Sequence, residues 1–328
     1  MSGGGALRPL PGPPARLPAS FGRRFILLVD TEEEFVWSGG FSRSNRSTRA
    51  MRALPAFHRR LREAGVAPAY MIDHPVATDA FSADLLRGWR EAGECAVGAQ
   101  LHPWVNPPFE EEVTPRNSFA GNLPRALERA KLHVLTEAIG EAVGARPVVY
   151  RAGRYGIGPD TPELLVEAGY RADMSMRAYH YYGDEGGPDY SRIGSRPFWW
   201  REGLLEVPFS TAYTGLLARF GRRLYPLLGS PLPRGAMARA GLLNRVSLTP
   251  EGVGIGEAVG AVDRLLDTGH RLLSFAFHSP SVEPGHTPYV RDEEDLRAFH
   301  RWWERMFAHL ARRGVAPASV EEVLAAAG

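Results

Sequence analysis

Hydrophobic positions fall along the chain in two alternating modes. Short unbroken apolar runs read as strands buried on both faces, and the longer stretches between them show helical spacing. The first run, residues 25–29 (FILLV), ends abruptly in Asp30-Thr31-Glu32-Glu33-Glu34. Ser47 or Thr48 is placed to cap a helix reaching about residue 64, which Gly65 stops. Residues 67–72 form the next strand and about 80–92 the next helix, closed by Gly93. Residues 95–99 lead into Gln100-Leu101-His102-Pro103-Trp104. A long amphipathic helix covers about 123–143, and a strand follows at 147–150. A short helix opened by Asp160-Thr161-Pro162 precedes a strand near 170–174. Residues 176–203 read as loop, 204–208 as strand and 216–250 as a helical or irregular excursion. A helix near 257–268, a strand at 271–277, a helix at about 292–313 and a terminal strand and helix with Val315 and Val323 complete the order. Strand–helix alternation from end to end predicts a mainly parallel α/β architecture, doubly wound or barrel-like, in one domain spanning residues 23–328.

Composition sharpens this in a few places. Residues 1–22 (MSGGGALRPLPGPPARLPASFG) are rich in Gly and Pro. Prolines interrupt every apolar stretch that could serve as a signal-peptide core, so a disordered leader on a cytoplasmic protein is expected. No run approaches the roughly 20 apolar residues that span a bilayer. The lone Cys95 excludes an internal disulfide framework and a cysteine-built zinc site. Basic and acidic residues nearly balance, 39 against 37, and are interspersed, which argues against nucleic-acid binding. The basic residues are almost all arginine, with Lys131 the single lysine. That usage matches a GC-rich coding bias and is not read as function.

In parallel α/β folds the ligand site lies at the carboxyl ends of the strands. Polar groups cluster at those ends here: Asp30 and Glu32 after the first strand, Gln100 and His102 after the third, Arg151 after the fourth and His278 after a late one. If the strands share a sheet, these groups meet at one rim. Asp30 and Glu32 stand two apart, so an extended chain puts both on one face, where they repel unless a cation or arginine lies between them. The bland reading is a solvated acidic run, because Glu33 and Glu34 continue it. His102 could complete a carboxylate–carboxylate–imidazole set suited to a divalent transition metal, or be a merely hydrogen-bonded histidine. Arg151, directly after an apolar strand, needs a carboxylate partner, and Asp30 is the natural one. His278, held by a Ser- and Glu-bearing loop, could serve as a general acid. His286 reads as a loop residue. The glycines at 252–256 do not make a dinucleotide fingerprint, because the segment before them is a poor strand and the third glycine is misplaced. No phosphate-binding loop or nucleophile elbow occurs. The aromatics Trp37, Trp104, Tyr155, Tyr179, Tyr181, Tyr182, Trp199 and Trp200 fall mostly in loops after strands, where rings can stack on sugar faces or simply cover a barrel end.

Taken in order, these segments resemble the NodB-homology polysaccharide deacetylases, and more closely their WalW-type branch, from about residue 25 to 323. The most specific parts are Phe275-Ala276-Phe277-His278-Ser279-Pro280 with Glu283-Pro284-Gly285, and Gly98-Ala99-Gln100-Leu101-His102-Pro103-Trp104. The resemblance implies a deformed (β/α) barrel and metal-dependent hydrolysis of an N-acetyl group on a sugar. It implies Asp30 as general base, Arg151 as the arginine orienting it and His278 as the acid on the leaving amine. It implies Glu32 near the acidic ligand of a divalent metal such as zinc; His102 is expected to join it as a ligand, and Trp104 and Tyr155 to face the carbohydrate. Asp173 falls loosely near a fourth motif. The second motif departs from the family pattern: two histidines four apart are replaced by Gln100 and Trp104, with His102 between them. A metal-free glycoside hydrolase using Asp30 and Glu32, and a non-catalytic carbohydrate-binding barrel that has lost its metal, are the alternatives.

Overall fold

The computed structural model describes residues 6–37 and 39–328. Eleven strands occur among them: β1 (Arg23–Thr31), β2 (Ala69–Ile72), β3 (Ala96–Leu101), β4 (Val149–Ala152), β5 (Ala172–Asp173), β6 (Phe198–Arg201), β7 (Leu204–Glu206), β8 (Thr211–Thr214), β9 (Asn244–Ser247), β10 (Leu272–His278) and β11 (Val315–Pro317). The main sheet runs β10-β1-β2-β3-β4-β5-β7-β6, with β11 added beside β1. Every pairing in it is parallel except β6 with β7. The sheet is not a closed ladder. Its β10 edge is reached by two single hydrogen bonds, Ser210 N–H to Ser274 O (3.3 Å) and Ala276 N–H to Leu248 O (3.3 Å), so the curved sheet is a deformed barrel with a broken seam.

The strands form where the apolar runs predict them. Residues 25–31 of β1 are all buried, as a central parallel strand covered on both faces must be. Helices Ala80–Glu91, Arg125–Val143, Ile255–Asp267 and Glu293–Arg312 lie within a few residues of their expected places. Asp79 and Asp292 cap two of them by accepting backbone N–H bonds. The helix expected from residue 48 starts later, at Leu54, and neither Ser47 nor Thr48 caps it. Ser47 instead donates to Glu34 Oε2 at 2.7 Å. Strands β6 and β9 arise in stretches the pattern marks as loop or irregular, and β8 in one it leaves unassigned. They are four residues each, two of them forming a separate antiparallel pair, so no long apolar run announces them.

Residues 6–22, where the composition predicts a leader, make contacts with the domain; residues 1–5 lie outside those described. Trp199 N–H donates to Pro13 O (2.9 Å), Ala15 N–H to Pro197 O (3.1 Å) and Asp189 N–H to Leu7 O (2.7 Å), and Arg8 pairs with Asp189 (3.0 Å). Proline cannot donate, but its carbonyl accepts, so a proline-rich segment can cover the exposed edge of β6.

The single lysine is structural. Lys131 is fully buried, and its Nζ donates to the carbonyls of Pro103 (3.0 Å), Asn106 (2.6 Å) and Pro108 (2.6 Å) while pairing with Glu111 (3.1 Å). It thereby pins the loop that leaves His102. Lys131→Met strands those acceptors and a buried carboxylate. It is expected to cost about 3–5 kcal/mol, read as a lowered midpoint in urea unfolding.

Candidate functional site

Parallel pairing puts the strand ends at one rim in register. Asp30 of β1 lies opposite His278 of β10, and Gln100 of β3 opposite Arg151 of β4. The side chains converge on a cavity of about 450 Å³, whose wall includes Asp30, Glu32, Gln100, His102, Arg151 and His278. These six strand-end residues therefore line one cavity.

On one side stand Asp30, Arg151 and His278. Arg151 Nε lies 2.7 Å from Asp30 Oδ1, and Arg151 Nη1 donates to Met174 O at 2.6 Å. The guanidinium is buried, and it fixes the carboxylate from behind. Asp30 Oδ2 faces His278 Nε2 at 3.8 Å. The other ring nitrogen, Nδ1, sits 2.6 Å from Glu251 Oε2, and the His278 backbone N–H donates to Glu251 Oε1 at 3.0 Å. Burial disfavours the charged imidazole, but the carboxylates of Glu251, Glu32 and Asp30 outweigh it and hold His278 up at about 10. His278 is thus an imidazolium at neutral pH, oriented by Glu251. Trp37 closes over it edge-on, with ring centroids 5.0 Å apart.

On the other side, His102 is held between two carboxylates. Its Nδ1 lies 2.8 Å from Glu33 Oε2, and its Nε2 lies 3.5 Å from Glu32 Oε2. Gln100 Nε2 donates to Glu32 Oε2 at 3.2 Å. Glu33 Oε1 accepts from Trp104 Nε1 at 2.6 Å, and the Glu33 N–H donates to Asp73 Oδ2 at 2.7 Å. Burial pushes Glu32 up to about 7 and Glu33 up to about 8, and it raises Asp73 as well. Glu33, Asp73 and His102 offer ligand atoms within 4.8 Å of one another, a buried group that could hold a metal ion. Glu33 and Asp73 do not reach the cavity wall, whereas Glu32 and His102 do. Glu32 Oε1 and Gln100 Oε1 are buried without a hydrogen-bond partner. Orphaned oxygens beside an imidazole nitrogen are what a hard or borderline cation would satisfy, so the residues on the cavity wall fit a divalent ion.

The backbone is shaped to the same end. A Cβ on Gly153 would overlap the His102 ring, so only glycine lets β4 end against it. Arg154 and Tyr155 follow with φ of 55° and 60°, a left-handed conformation costly for side-chain-bearing residues, and both side chains line the cavity.

The two residues expected to meet carbohydrate differ. Tyr155 is half-buried on the wall, stacked on Tyr182 at 5.5 Å. Trp104 touches the cavity but is buried, stacked on His102 at 4.4 Å, so its ring serves the histidine more than it offers a free face. Phe35, Trp37, Phe41, Tyr182 and Tyr289 are the other aromatic rings in the wall. His286 pairs with Glu283 and Glu34 outside it. Asp173 is buried away from the cavity wall, opposite Glu206 of β7, and burial raises both carboxyls, Asp173 to about 6.

Three supporting residues were not singled out from sequence. Glu33 was counted with a solvated run, yet it is fully buried. Asp73 directly follows the apolar run of β2, the same strand-end signal that marked Asp30. Glu251 lies in a segment read as a poor strand, beyond the short β9.

No family model matches this chain, and no curated protein matches it. Solved structures do. A probable polysaccharide deacetylase from Pseudomonas aeruginosa PAO1 superposes with a TM-score of 0.53 at 15% identity, over 96% of this chain and 94% of that one. PuuE allantoinase superposes with a TM-score of 0.53 at 15% identity, over 96% and 93%. A family 4 carbohydrate esterase from Streptomyces lividans, solved in complex with acetate, reaches 0.44 at 13% identity, over 92% and 94%. The chain has the NodB-type fold of the first two.

Proposed function

We propose that this chain is a metal-dependent hydrolase of the polysaccharide-deacetylase kind, removing an N-acetyl or related acyl group from a sugar. The observation that carries the reading is Asp30, fixed by Arg151, facing the His278 imidazole across a cavity whose opposite wall presents Glu32 and His102. Glu32 and His102 would hold the ion, with the unpartnered Gln100 Oε1 as a third ligand. When bound, a divalent ion such as zinc supplies Lewis-acid polarisation of the acyl carbonyl. Asp30 accepts the proton of the attacking water, and Arg151 keeps its carboxylate aimed. His278 delivers a proton from Nε2 to the departing sugar nitrogen, with Glu251 holding Nδ1. Glu33 plays the same orienting part for His102, leaving Nε2 toward the cavity. Tyr155 and Trp37 flank the space left for the sugar.

The test is release of acetate and free amine in equal amounts from an N-acetylated chito-oligosaccharide by metal-replete protein. Cleavage of glycosidic bonds instead would support a two-carboxylate glycosidase. The hydrogen bond from Gln100 to Glu32 favours one second reading, a non-catalytic carbohydrate-binding barrel, because it occupies a would-be ligand oxygen.

The pH profile carries its own expectation. His278 acts as an acid, so activity falls as pH rises through its pKa of about 10. Glu251→Gln removes the first carboxylate holding that value up. The alkaline limb of kcat is expected to move down toward the ordinary imidazole range, and an unmoved limb would discard His278 as the acid.

A further inference from the structure

Between Glu206 and Glu251 the chain contains no acidic residue and six arginines, Arg219, Arg222, Arg223, Arg234, Arg239 and Arg245. The rest of the chain has 33 basic against 37 acidic residues, so the whole of the net positive charge resides in this excursion. Among the described residues, none of the six lies within 4.0 Å of a carboxylate oxygen. The excursion is a small lobe with its own core of Tyr213, Tyr225 and Leu243, built on β8 and β9 and on helices Gly221–Leu227 and Pro231–Arg239. Arg234 and Arg245 lie over the Tyr225 ring at 4.9 and 4.8 Å, Arg219 lies over Phe220 at 4.5 Å, and Arg222 Nη2 donates to Arg192 O at 3.3 Å. Arg219, Arg222, Arg223 and Arg239 are exposed. The same lobe carries Leu216, Leu227 and Leu232 at 81%, 79% and 82% exposure, the largest values among the exposed large hydrophobics, with Phe220 beside them.

We infer that this lobe docks the protein peripherally on an anionic lipid bilayer. Exposed leucines are interleaved here with arginines that have no carboxylate partner. They match an interface that offers negative headgroups above hydrocarbon. A purely polyanionic partner would use the arginines and leave the leucines unexplained. A partner protein's apolar groove would leave the unneutralised charge unexplained. No helix among the described residues is long and apolar enough to cross a membrane, and the proposed attachment is to the surface. The lobe is fastened to the segment behind the cavity: Arg245 Nη1 donates to Tyr179 O at 2.7 Å, and three residues on, Tyr182 lines the wall. Docking would therefore set the cavity close to the bilayer surface.

Sedimentation of the full chain with vesicles decides the matter, using phosphatidylcholine alone and phosphatidylcholine with phosphatidylglycerol, at low and high salt. Binding is expected only to the phosphatidylglycerol vesicles, weakening as salt rises. Each arginine at an anionic surface contributes about fivefold, so the triple variant R219E/R222E/R223E is expected to lose about a hundredfold or more in affinity. The variant L216S/L227S/L232S is expected to lose most of the binding that survives at high salt. Those six positions are exposed, and unchanged thermal unfolding of both variants confirms that only the surface was altered. Equal binding to both vesicle types, binding to neither, or indifference to either variant overturns the proposal. So does a concentration-dependent dimer in lipid-free buffer that the leucine variant dissolves, which assigns the face to a second copy.

Discussion

Asp30→Asn is expected to lower the deacylation rate by about a hundredfold or more with little change in KM, because a general base typically contributes that much to the chemical step. The amide still offers Arg151 an acceptor at the position of Oδ1 but cannot take a proton from water. It also removes the countercharge of a buried guanidinium, so a loss of stability of up to several kcal/mol accompanies it. His278→Ala separates the two effects. That side chain is partly open to the cavity and is not Arg151's partner, so kcat should fall comparably while the unfolding midpoint stays close to that of the parent. Single-turnover acetate release, measured below the unfolding range of all three proteins, is the comparison. An Asp30→Asn protein of undiminished rate removes the base from the account.

The second large effect concerns the ion. Chelator-stripped protein is expected to lose activity and to regain it with a divalent metal. The structure offers two candidate positions, and substitution tells them apart. If the ion lies between Glu32 and His102 at the cavity wall, Glu32→Gln abolishes binding, whereas Glu33→Gln weakens it by about 10–100-fold through loss of the orienting contact on Nδ1. If it lies within Glu33, Asp73 and His102, the order reverses. Calorimetric titration of zinc into the stripped variants reads the order. An ion that ignores both glutamates contradicts either placement.

Much of the site was legible in the sequence because parallel strands put their carboxyl ends at one rim, and an abrupt polar residue after an apolar run marks such an end. Asp30, Gln100, Arg151 and His278 were found that way, and register pairs them as neighbours. What escaped did so for definable reasons. Glu33 sits in a row of acids, and a one-dimensional charge run does not reveal that Glu32 and Glu33 are both buried just past the end of β1; only the Trp104 and His102 contacts do. Glu251 follows a four-residue antiparallel strand with Asn244 and Arg245 in it, too short and polar to stand out. The order of residues 6–22 was missed because proline content argued against structure, whereas the segment needs only carbonyl acceptors and a free strand edge. The broken seam of the barrel was equally invisible, since it rests on single hydrogen bonds rather than a ladder.

The shared claim beneath these readings is that the groups gathered at this rim cleave an acyl–nitrogen bond. Mass spectrometry of a defined N-acetylated oligosaccharide after incubation with the metal-replete protein addresses it directly. The account predicts products in which one or more acetyl groups are replaced by hydrogen, with the sugar backbone intact, and about a hundredfold less of them from the Asp30→Asn protein in the same time. An unaltered oligosaccharide with every metal tried, or one shortened at its glycosidic linkages, would contradict it.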